Sequence, residues 1–150
     1  MVNIKSFGFM EIDTKKIEMK TSEKFQLIDV TDQVKDIFED SNIKDGFVTI
    51  FSPHTTCAVK INEREDSLLE DFEDFLEQIA PRNVNYGHNE TCVDDRPNAH
   101  SHLRSLVLNA SETVPVVDGE LLLGGWQTVF FIELDGPREK RRLIVQILGE

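Results

Sequence analysis

One stretch near the C-terminus limits what this chain can fold into more than any other. The run WQTVFFIELD at 126–135 is rich in strand-forming residues, and both of its alternating faces are apolar. One face carries Trp126, Phe130, Ile132 and Leu134, and the other carries Val129 and Phe131. A strand that is apolar on both faces is covered on both. The fold is therefore a two-layer sandwich, a sheet covered by helices, or a sheet buried against another subunit.

Further strands are predicted by alternation of apolar and polar residues. Asp118-Gly119 between two apolar runs is typical of a β-hairpin turn. The alternation is loose at the N-terminal end of the chain and clearest at 24–30. The predicted strands fall within residues 4–12, 16–30, 46–52, 57–62, 113–117, 120–124 and 141–148.

Three helices are predicted by apolar residues at helical spacing. The first is predicted to be capped by Thr31 or Asp32, and Val34, Ile37 and Phe38 share one of its faces. The second, at 64–80, has a single apolar stripe of Leu68, Leu69, Phe72, Phe75, Leu76 and Ile79. A long polar loop at 81–97 leads to the third, at 98–110, with an apolar face of Ala99, Leu103, Leu106, Val107 and Ala110.

The order of these elements lacks the regular strand–helix alternation of a parallel fold. We therefore expect an α+β fold with a mainly antiparallel β-sheet or β-sandwich and helices packed on one side. The length of 150 residues is typical of one domain, so residues 1–150 are predicted to form a single domain.

Charge and the absence of export signals limit the partners. A formal net charge of −12 argues against nucleic-acid binding and against docking on anionic membranes. The N-terminal sequence lacks the apolar run of a signal peptide, and no run approaches the ~20 apolar residues of a transmembrane helix. We expect a cytoplasmic protein in which Cys57 and Cys92 are free thiols.

Histidines in three separate segments are the candidates for chemistry. His54 lies in a break between two strands, His88 lies in the long loop, and His100 and His102 lie at the start of the third helix. Residues two apart on a helix point about 200° apart, so only one of the last pair can face a shared site. His102 lies beside the apolar stripe and is the better candidate, whereas we expect His100 to be exposed and uninvolved.

Two interpretations of these histidines remain open. Three imidazoles and a water form a known zinc arrangement, and nitrogen ligands suit other divalent metals. Glu63 could then act as a base or a fourth ligand, and Asp94 or Asp95 could orient a histidine ring. Alternatively, the loop histidines are solvated and His102 is a hydrogen-bonded residue at the edge of the core.

Four cations at 138–142 stand out in an acidic chain. Arg138, Lys140, Arg141 and Arg142 could hold a phosphate or carboxylate, because arginine grips such groups with paired donors. They could equally form salt bridges with surface carboxylates or protect a strand edge. If 140–148 is a strand, Lys140 and Arg142 share one face and Arg141 lies on the other.

Several of these motifs together resemble the YjbQ-type family of small proteins, over a region from about residue 46 to the end. The similar stretches are SPHTTCAVKINE, NYGHNE, DDRPNAHSHLRS, DGELLLGGWQTVFFIELDGPR and the closing LGE. The resemblance implies an α+β fold with a sandwich-like core and a homotrimer. It also implies a secondary thiamine-phosphate synthase activity, which joins a pyrimidine diphosphate to a thiazole phosphate and releases pyrophosphate.

The family motifs fall on particular residues of this chain. They are His54, Thr55 and Thr56, then Asn62 and Glu63, Tyr86 and His88, Ser101, His102 and Leu103, and Trp126 and Gln127. With the residue analysis, this predicts a divalent metal, Zn or Mg/Mn, held by His54, His88 and His102. Glu63 and Asp95 are the predicted catalytic residues. The predicted substrate-binding residues are Thr55, Asn62, Trp126, Arg138 and Arg142.

Three hypotheses for function follow. The first is a small metabolic enzyme acting on phosphorylated small molecules, with thiamine-phosphate synthesis as a secondary activity. The second is a non-catalytic homotrimer that binds a metal or a small anion with the same residues. The third is a purely structural trimer whose histidines satisfy hydrogen bonds at an interface.

Overall fold

Antiparallel strands and four helices form the described part of the chain, residues 9–150 of a computed structural model. The strands are β1 (Glu11–Thr21), β2 (Gln26–Asp29), β3 (Gly46–Phe51), β4 (Cys57–Asn62), β5 (Ser111–Val117), β6 (Glu120–Leu121), β7 (Thr128–Glu133) and β8 (Arg138–Gly149). The helices are α1 (Thr31–Glu39), α2 (Asp66–Ile79), α3 (Gly87–Thr91) and α4 (Ala99–Val107). The alternation predicted for residues 4–8 lies outside the described residues.

The strands form two sheets that share one apolar core. The larger sheet has the order β1-β8-β3-β5-β6, and the smaller has the order β2-β7-β4. Every strand pair in both sheets is antiparallel. The main core cluster draws residues from both sheets, such as Val48 and Val145 from the larger and Val59 and Phe131 from the smaller. This confirms the predicted α+β fold with an antiparallel, sandwich-like core.

The central strand β7 is buried on both faces within one chain. Val129 and Phe131 are fully buried in the main cluster between the sheets. Phe130 and Ile132 belong to a second cluster, where they meet Leu76 of α2. One face of β7 is therefore covered by the larger sheet and the other face by helix α2, so two of the predicted kinds of cover occur together. The placement of Trp126 in this strand is wrong: it lies in the turn before β7 and is 78% exposed.

Helix α1 is fixed to β7 by its first residue. The backbone N–H of Val129 donates to Oγ1 of Thr31, and the N–H of Thr31 donates to Oδ1 of Asp29. Val34 and Phe38 are buried in the main cluster, as their spacing predicted. The aspartate before the helix, and not Thr31 or Asp32, therefore supplies the side-chain acceptor at its start.

The predicted stripe on α2 is only partly buried. Leu76 is buried, but Phe75 is 59% exposed and Ile79 is 46% exposed. Since a helix presents one face to the small sheet, the two outer residues of the stripe lie beyond its edge. Apolar surface is thus left uncovered along α2.

The predicted apolar face of α4 is wrong. Of Ala99, Leu103, Leu106, Val107 and Ala110, only Ala99 is buried, and Leu106 is 80% exposed. The buried face is polar, because it binds backbone carbonyl groups that an apolar face could not. The Arg104 guanidinium donates twice to the carbonyl of Ala80 at the end of α2, and Ser101 Oγ donates to the carbonyl of Leu134.

No helix among residues 9–150 is long and apolar enough to cross a membrane.

Cys57 is buried and Cys92 is half-buried, and both thiols are free. Burial raises the pKa of the Cys57 thiol well above its ordinary value, so this thiol is unreactive.

Candidate functional site

A polar cavity of about 400 Å³ lies where four segments of the chain meet. The segments are the break between β3 and β4, the region of α3, the start of α4 and the turn between β7 and β8. We call this cavity the histidine pocket. It is lined by Pro53, His54, Thr55, Thr56, His88, Val93, Asp94, Asn98, His102, Asp135, Arg138 and Arg141.

The structure brings His54, His88 and His102 together in this pocket. The rings of His88 and His102 meet edge to face, with their centroids 4.9 Å apart. His88 comes from α3, a single helical turn inside the segment predicted to be a loop, and His102 comes from α4. Packing of α3 against α4 therefore brings His88 and His102 together although they are far apart along the chain.

A chain of polar contacts fixes the proton on the His88 ring. Arg138 pairs with Asp135, and the Asn98 amide nitrogen donates to the same Asp135 carboxylate at 2.8 Å. The Asn98 oxygen is thereby turned toward Nε2 of His88, 3.2 Å away. Because that oxygen can only accept, Nε2 carries the proton and Nδ1 keeps a free lone pair. His88 is thus prepared to accept a proton or to bind a cation.

His54 is held in the opposite tautomer. Its Nε2 accepts the backbone N–H of Arg142 at 3.1 Å, so the neutral ring carries its proton on Nδ1. Burial, with Arg141 and Arg142 nearby, lowers the pKa of His54 below its usual value. A neutral His54 therefore offers one N–H donor and no free lone pair.

The predicted metal needs a different arrangement at His54. A metal held by all three histidines requires one free lone pair on each ring, and His54 Nε2 is engaged with Arg142. Among residues 9–150, no three His, Cys, Asp or Glu side chains are grouped closely enough to hold an ion. As arranged, the pocket does not fit a metal bound by His54, His88 and His102 together.

A buried ion pair forms one wall of the histidine pocket. Glu133 is fully buried and receives two hydrogen bonds from the guanidinium of Arg141, at 2.6 and 2.7 Å. Burial alone would raise the pKa of Glu133, but hydrogen bonds from Arg141 and from the Asp135 N–H hold it below its usual value. Arg141 also donates to Thr56. The wall thus carries a fixed cation whose position is set by Glu133.

Only part of the predicted site lies in this pocket. Thr55 and Arg138 line it with the three histidines. Asp95 faces a neighbouring cavity, and the side chain of Arg142 is exposed although its backbone binds His54. The residues that the structure does not bring to the pocket are Asp95, Arg142, Asn62, Glu63 and Trp126.

Glu63 and Asn62 lie at the far end of β4 from His54. The five steps between the first and last of the six residues of that strand separate its two ends by about 17 Å, given a rise of roughly 3.3 Å per residue. A side chain cannot span this distance. Within one chain, Glu63 therefore does not contact anything bound beside His54.

Two pocket residues, Asn98 and Asp135, were missed by the sequence analysis, and Arg141 was named among the four cations but not among the predicted binding residues. Arg141 carried a usable signal, because β-strand alternation places it on the face opposite Lys140 and Arg142, and the acidic Glu133 stands in an otherwise apolar strand that needs a partner for it. Asn98 and Asp135 carried none, since polar residues beside turns are common.

Comparison with known proteins identifies the family. The UPF0047 protein YjbQ-like family model matches residues 15–150. A UPF0047 protein of Methanothermobacter thermautotrophicus is 46% identical over 142 residues, which are 95% of this chain and 96% of that protein. The chain belongs to the UPF0047, YjbQ-like family.

Solved structures share the fold of this YjbQ-like chain. A crystal structure of a YbjQ-like protein of unknown function from Sulfolobus solfataricus P2 matches with 41% identity and a TM-score of 0.89, over 95% of this chain and 100% of that one. A hypothetical protein of Aeropyrum pernix K1 matches with 36% identity and a TM-score of 0.85, over 92% and 99%. Their names state no activity, so the function rests on the site.

His100 of this YjbQ-like protein is buried, which corrects the expectation that it is exposed. It is 7% exposed and faces away from the histidine pocket, toward a cavity on the other side of Asn98 and Asp135. Burial, with Arg104 and Arg82 nearby, lowers its pKa to about 4. The ring is therefore neutral near neutral pH.

Acid should destabilise the fold through His100. The unfolded chain takes up a proton near pH 6.5, whereas the folded chain does so only near pH 4, so stability is lost as the pH falls through that interval. Urea unfolding at about pH 7.5 and about pH 5 measures this loss. His100→Gln should show a smaller loss than the unmodified protein; an equal loss would show that His100 does not contribute.

Proposed function

We propose that this protein is an enzyme that binds the phosphate group of a small phosphorylated metabolite in the histidine pocket. The observation that carries the proposal is the convergence of three histidines from separate segments on one polar cavity with two arginines. The cavity is large enough for a small metabolite, since ligand pockets generally begin at about 300 Å³. The lining also holds Asp94 and Asp135, and Arg138 and Arg141 are paired with Asp135 and Glu133, so the pocket offers directed donors rather than an excess of positive charge.

The donors available to a phosphate come from three residues. The Nε of Arg138 is buried and finds no hydrogen-bond partner in the described part of the chain. Arg141 adds a fixed positive charge, and the neutral His54 adds an Nδ1–H. Charged donors that are already in position stabilise negative charge on a substrate without reorganisation.

Proton transfer to the leaving group is assigned to His88 and His102; in thiamine-phosphate formation this group is pyrophosphate, because the attacking thiazole nitrogen carries no proton to lose. His88 Nδ1 has a free lone pair, because its other nitrogen is held by Asn98. A correctly placed histidine contributes roughly 10²–10⁴-fold to a rate by general acid–base catalysis. Asn98, Asp135 and Arg138 act through His88 as positioning residues.

Thiamine-phosphate formation is the first activity to assay. That reaction releases pyrophosphate, and the pocket cations suit stabilisation of such a leaving group. The assay should supply pyrimidine diphosphate and thiazole phosphate and measure pyrophosphate release. Turnover that saturates with both substrates and falls in Arg138→Met supports an enzyme. Binding without turnover would favour the non-catalytic binder. The absence of both binding and turnover would overturn the proposal.

A divalent metal at the histidines, Zn or Mg/Mn, is a separate proposal. It requires His54 to exchange its hydrogen bond with Arg142 for a metal bond, which predicts that the bound ion is lost in His54→Ala and His102→Ala alike. Metal content of the untagged protein by mass spectrometry measures this. A metal retained in His54→Ala would contradict a site shared by the three histidines.

We also propose that the protein is a homotrimer. Exposed apolar side chains on α2 and α4 support an interface there, since clustered exposed apolar residues often mark sites of protein–protein contact. These are Phe75, Ile79, Leu103, Leu106 and Val107. Analytical ultracentrifugation should give three times the chain mass, and Leu106→Glu should shift it toward the monomer. Ile12→Glu, on the exposed face of β1, is the matched control; a monomeric unmodified protein would contradict the proposal.

A further inference from the structure

A second cavity, of about 470 Å³, lies on the other side of Asn98 and Asp135 from the histidine pocket. We call it the Arg82 cavity. Its walls carry Lys24, Arg82, Arg96 and His100, together with the carboxylates of Asp95 and Asp135. Asp135 is already paired with Arg138 and Asn98. Arg96 is paired with Asp94 and Asp135, and the His100 ring is neutral. Among residues 9–150, the lining groups without an ion pair are therefore the cations of Lys24 and Arg82 and the carboxylate of Asp95, which leaves one positive charge in excess.

His100 brings an unsatisfied acceptor to this cavity. Ser101 Oγ gives its only hydrogen to the carbonyl of Leu134, so it must accept from His100 Nε2, 3.2 Å away. The proton of the neutral ring is thus on Nε2, and Nδ1 keeps its lone pair. Nδ1 is buried and has no hydrogen-bond partner among residues 9–150. A buried acceptor without a donor destabilises a fold, so this nitrogen is an unusual feature.

Arg82 supplies the matching donor on the same cavity. Its backbone N–H binds Glu77, which fixes the residue just after α2. Its side-chain Nε is buried and, within the described part of the chain, unpartnered. The cavity therefore combines an orphan acceptor at His100 with an orphan guanidinium donor at Arg82. A ligand that satisfies both must carry a hydrogen-bond donor and an acceptor, and the positive charge of the guanidinium favours an anionic acceptor.

We infer that the Arg82 cavity binds a small organic anion that carries a hydroxyl or N–H group. The anionic group lies against Arg82, with Lys24 adding charge, and the hydroxyl or N–H donates to His100 Nδ1. A phosphate monoester or a carboxylate can supply the anion, since both match the guanidinium fork. This site stands on its own residues and does not depend on what the histidine pocket binds.

The test uses probes with and without the donor. Amide and imidazole NMR spectra of the full chain are recorded while glycerol 3-phosphate or glycolate is added, with propyl phosphate and acetate as the matched probes that lack the hydroxyl. We expect saturable shifts at Arg82 and His100 for at least one hydroxylated probe. We expect binding about tenfold weaker for its partner, because one hydrogen bond is lost. The probe that binds tells a phosphate from a carboxylate site.

Two substitutions of His100 separate its role in binding from a role in folding. His100→Gln keeps a donor for Ser101 near the Nε2 position but removes the acceptor at Nδ1, whereas His100→Asn keeps a polar group near Nδ1. We expect His100→Gln to bind the hydroxylated probe about tenfold more weakly and to lose the preference over its partner probe. His100→Asn should retain part of that preference. Arg82→Gln should weaken binding of all four probes. This variant tests the site independently if a His100 variant does not fold.

Three outcomes would overturn the inference. The first is the absence of shifts at Arg82 and His100 with every probe. The second is equal binding of the hydroxylated and non-hydroxylated probes. The third is shifts confined to His54, His88 and His102, which would assign the anion to the histidine pocket alone.

Discussion

Arg141→Met should lower the free energy of unfolding by about 3–5 kcal/mol, because it leaves the fully buried Glu133 carboxylate without its cation. The remaining donors to Glu133 are Thr21, the Cys57 thiol and the Asp135 N–H, and none of them carries charge. Urea unfolding near neutral pH measures the change. Lys140→Met is the matched control, since within residues 9–150 Lys140 pairs with the exposed Glu18 on the other face of β8, and its loss should leave stability nearly unchanged.

The pH dependence of this loss is a second check on its cause. With Arg141 present, the pKa of Glu133 is below its usual value. The stability that the ionised Glu133 contributes is therefore lost as the pH falls from the usual pKa of a glutamate through the lowered pKa of the folded protein. Without Arg141, burial should raise that pKa instead, and the variant should recover relative to the unmodified protein as the pH falls. A pH-independent deficit would contradict the account, as would a double variant Glu133→Leu, Arg141→Met that is no more stable than Arg141→Met.

His102→Ala should lower the turnover number for thiamine-phosphate formation by about 10²–10⁴-fold, the usual contribution of a general acid or base. The side chain is at the pocket surface and contacts the His88 ring, so its removal should leave the fold intact. Circular dichroism and the unfolding midpoint provide the fold control. An active His102→Ala with unchanged kcat would contradict the assignment of proton transfer.

Asn98→Leu tests the positioning of His88 in the same assay. It removes the oxygen that holds the His88 proton on Nε2. We expect a lower kcat and a displaced pH profile, which a purely structural role for Asn98 would not produce. An unchanged profile would show that the contact between Asn98 and His88 does not matter for turnover.

The fold was largely predictable because alternation of apolar and polar residues and turn residues in the sequence indicate most of its strands. Alternation predicted β3, β4, β8 and the Asp118-Gly119 hairpin, where both turn residues adopt positive φ as a two-residue turn requires. The apolar faces of β7 predicted cover on both sides, and the sandwich and α2 supply it. Each of these inferences needed only residues close in the chain.

The orientation of α4 was not predictable in this way. Its apolar residues suggested one face, but the long-range hydrogen bonds of Ser101 and Arg104 to Leu134 and Ala80 decide which face is buried. Helical periodicity carries no information about carbonyl groups brought near by the rest of the fold. For the same reason His100, expected to be exposed, is buried.

The histidine pocket was predictable in its histidines but not in what fixes them. Residue type and placement in loops and at a helix start pointed to His54, His88 and His102. The tautomers depend on Asn98, Asp135 and the backbone of Arg142, which are partners that only the folded chain assembles. The family motifs grouped Glu63 and Trp126 with these histidines. Within one chain, however, Glu63 follows the far end of β4 and Trp126 lies in an exposed turn, so neither residue reaches the histidine pocket.

The measurement that tests the central claim most directly is imidazole NMR of the protein titrated with thiazole phosphate. If a phosphate group enters the histidine pocket, the ring resonances of His54, His88 and His102 shift together and saturate, and Arg138→Met weakens this response while Lys140→Met does not. Ring resonances that do not respond, or that respond equally in Arg138→Met, would contradict phosphate binding at this site.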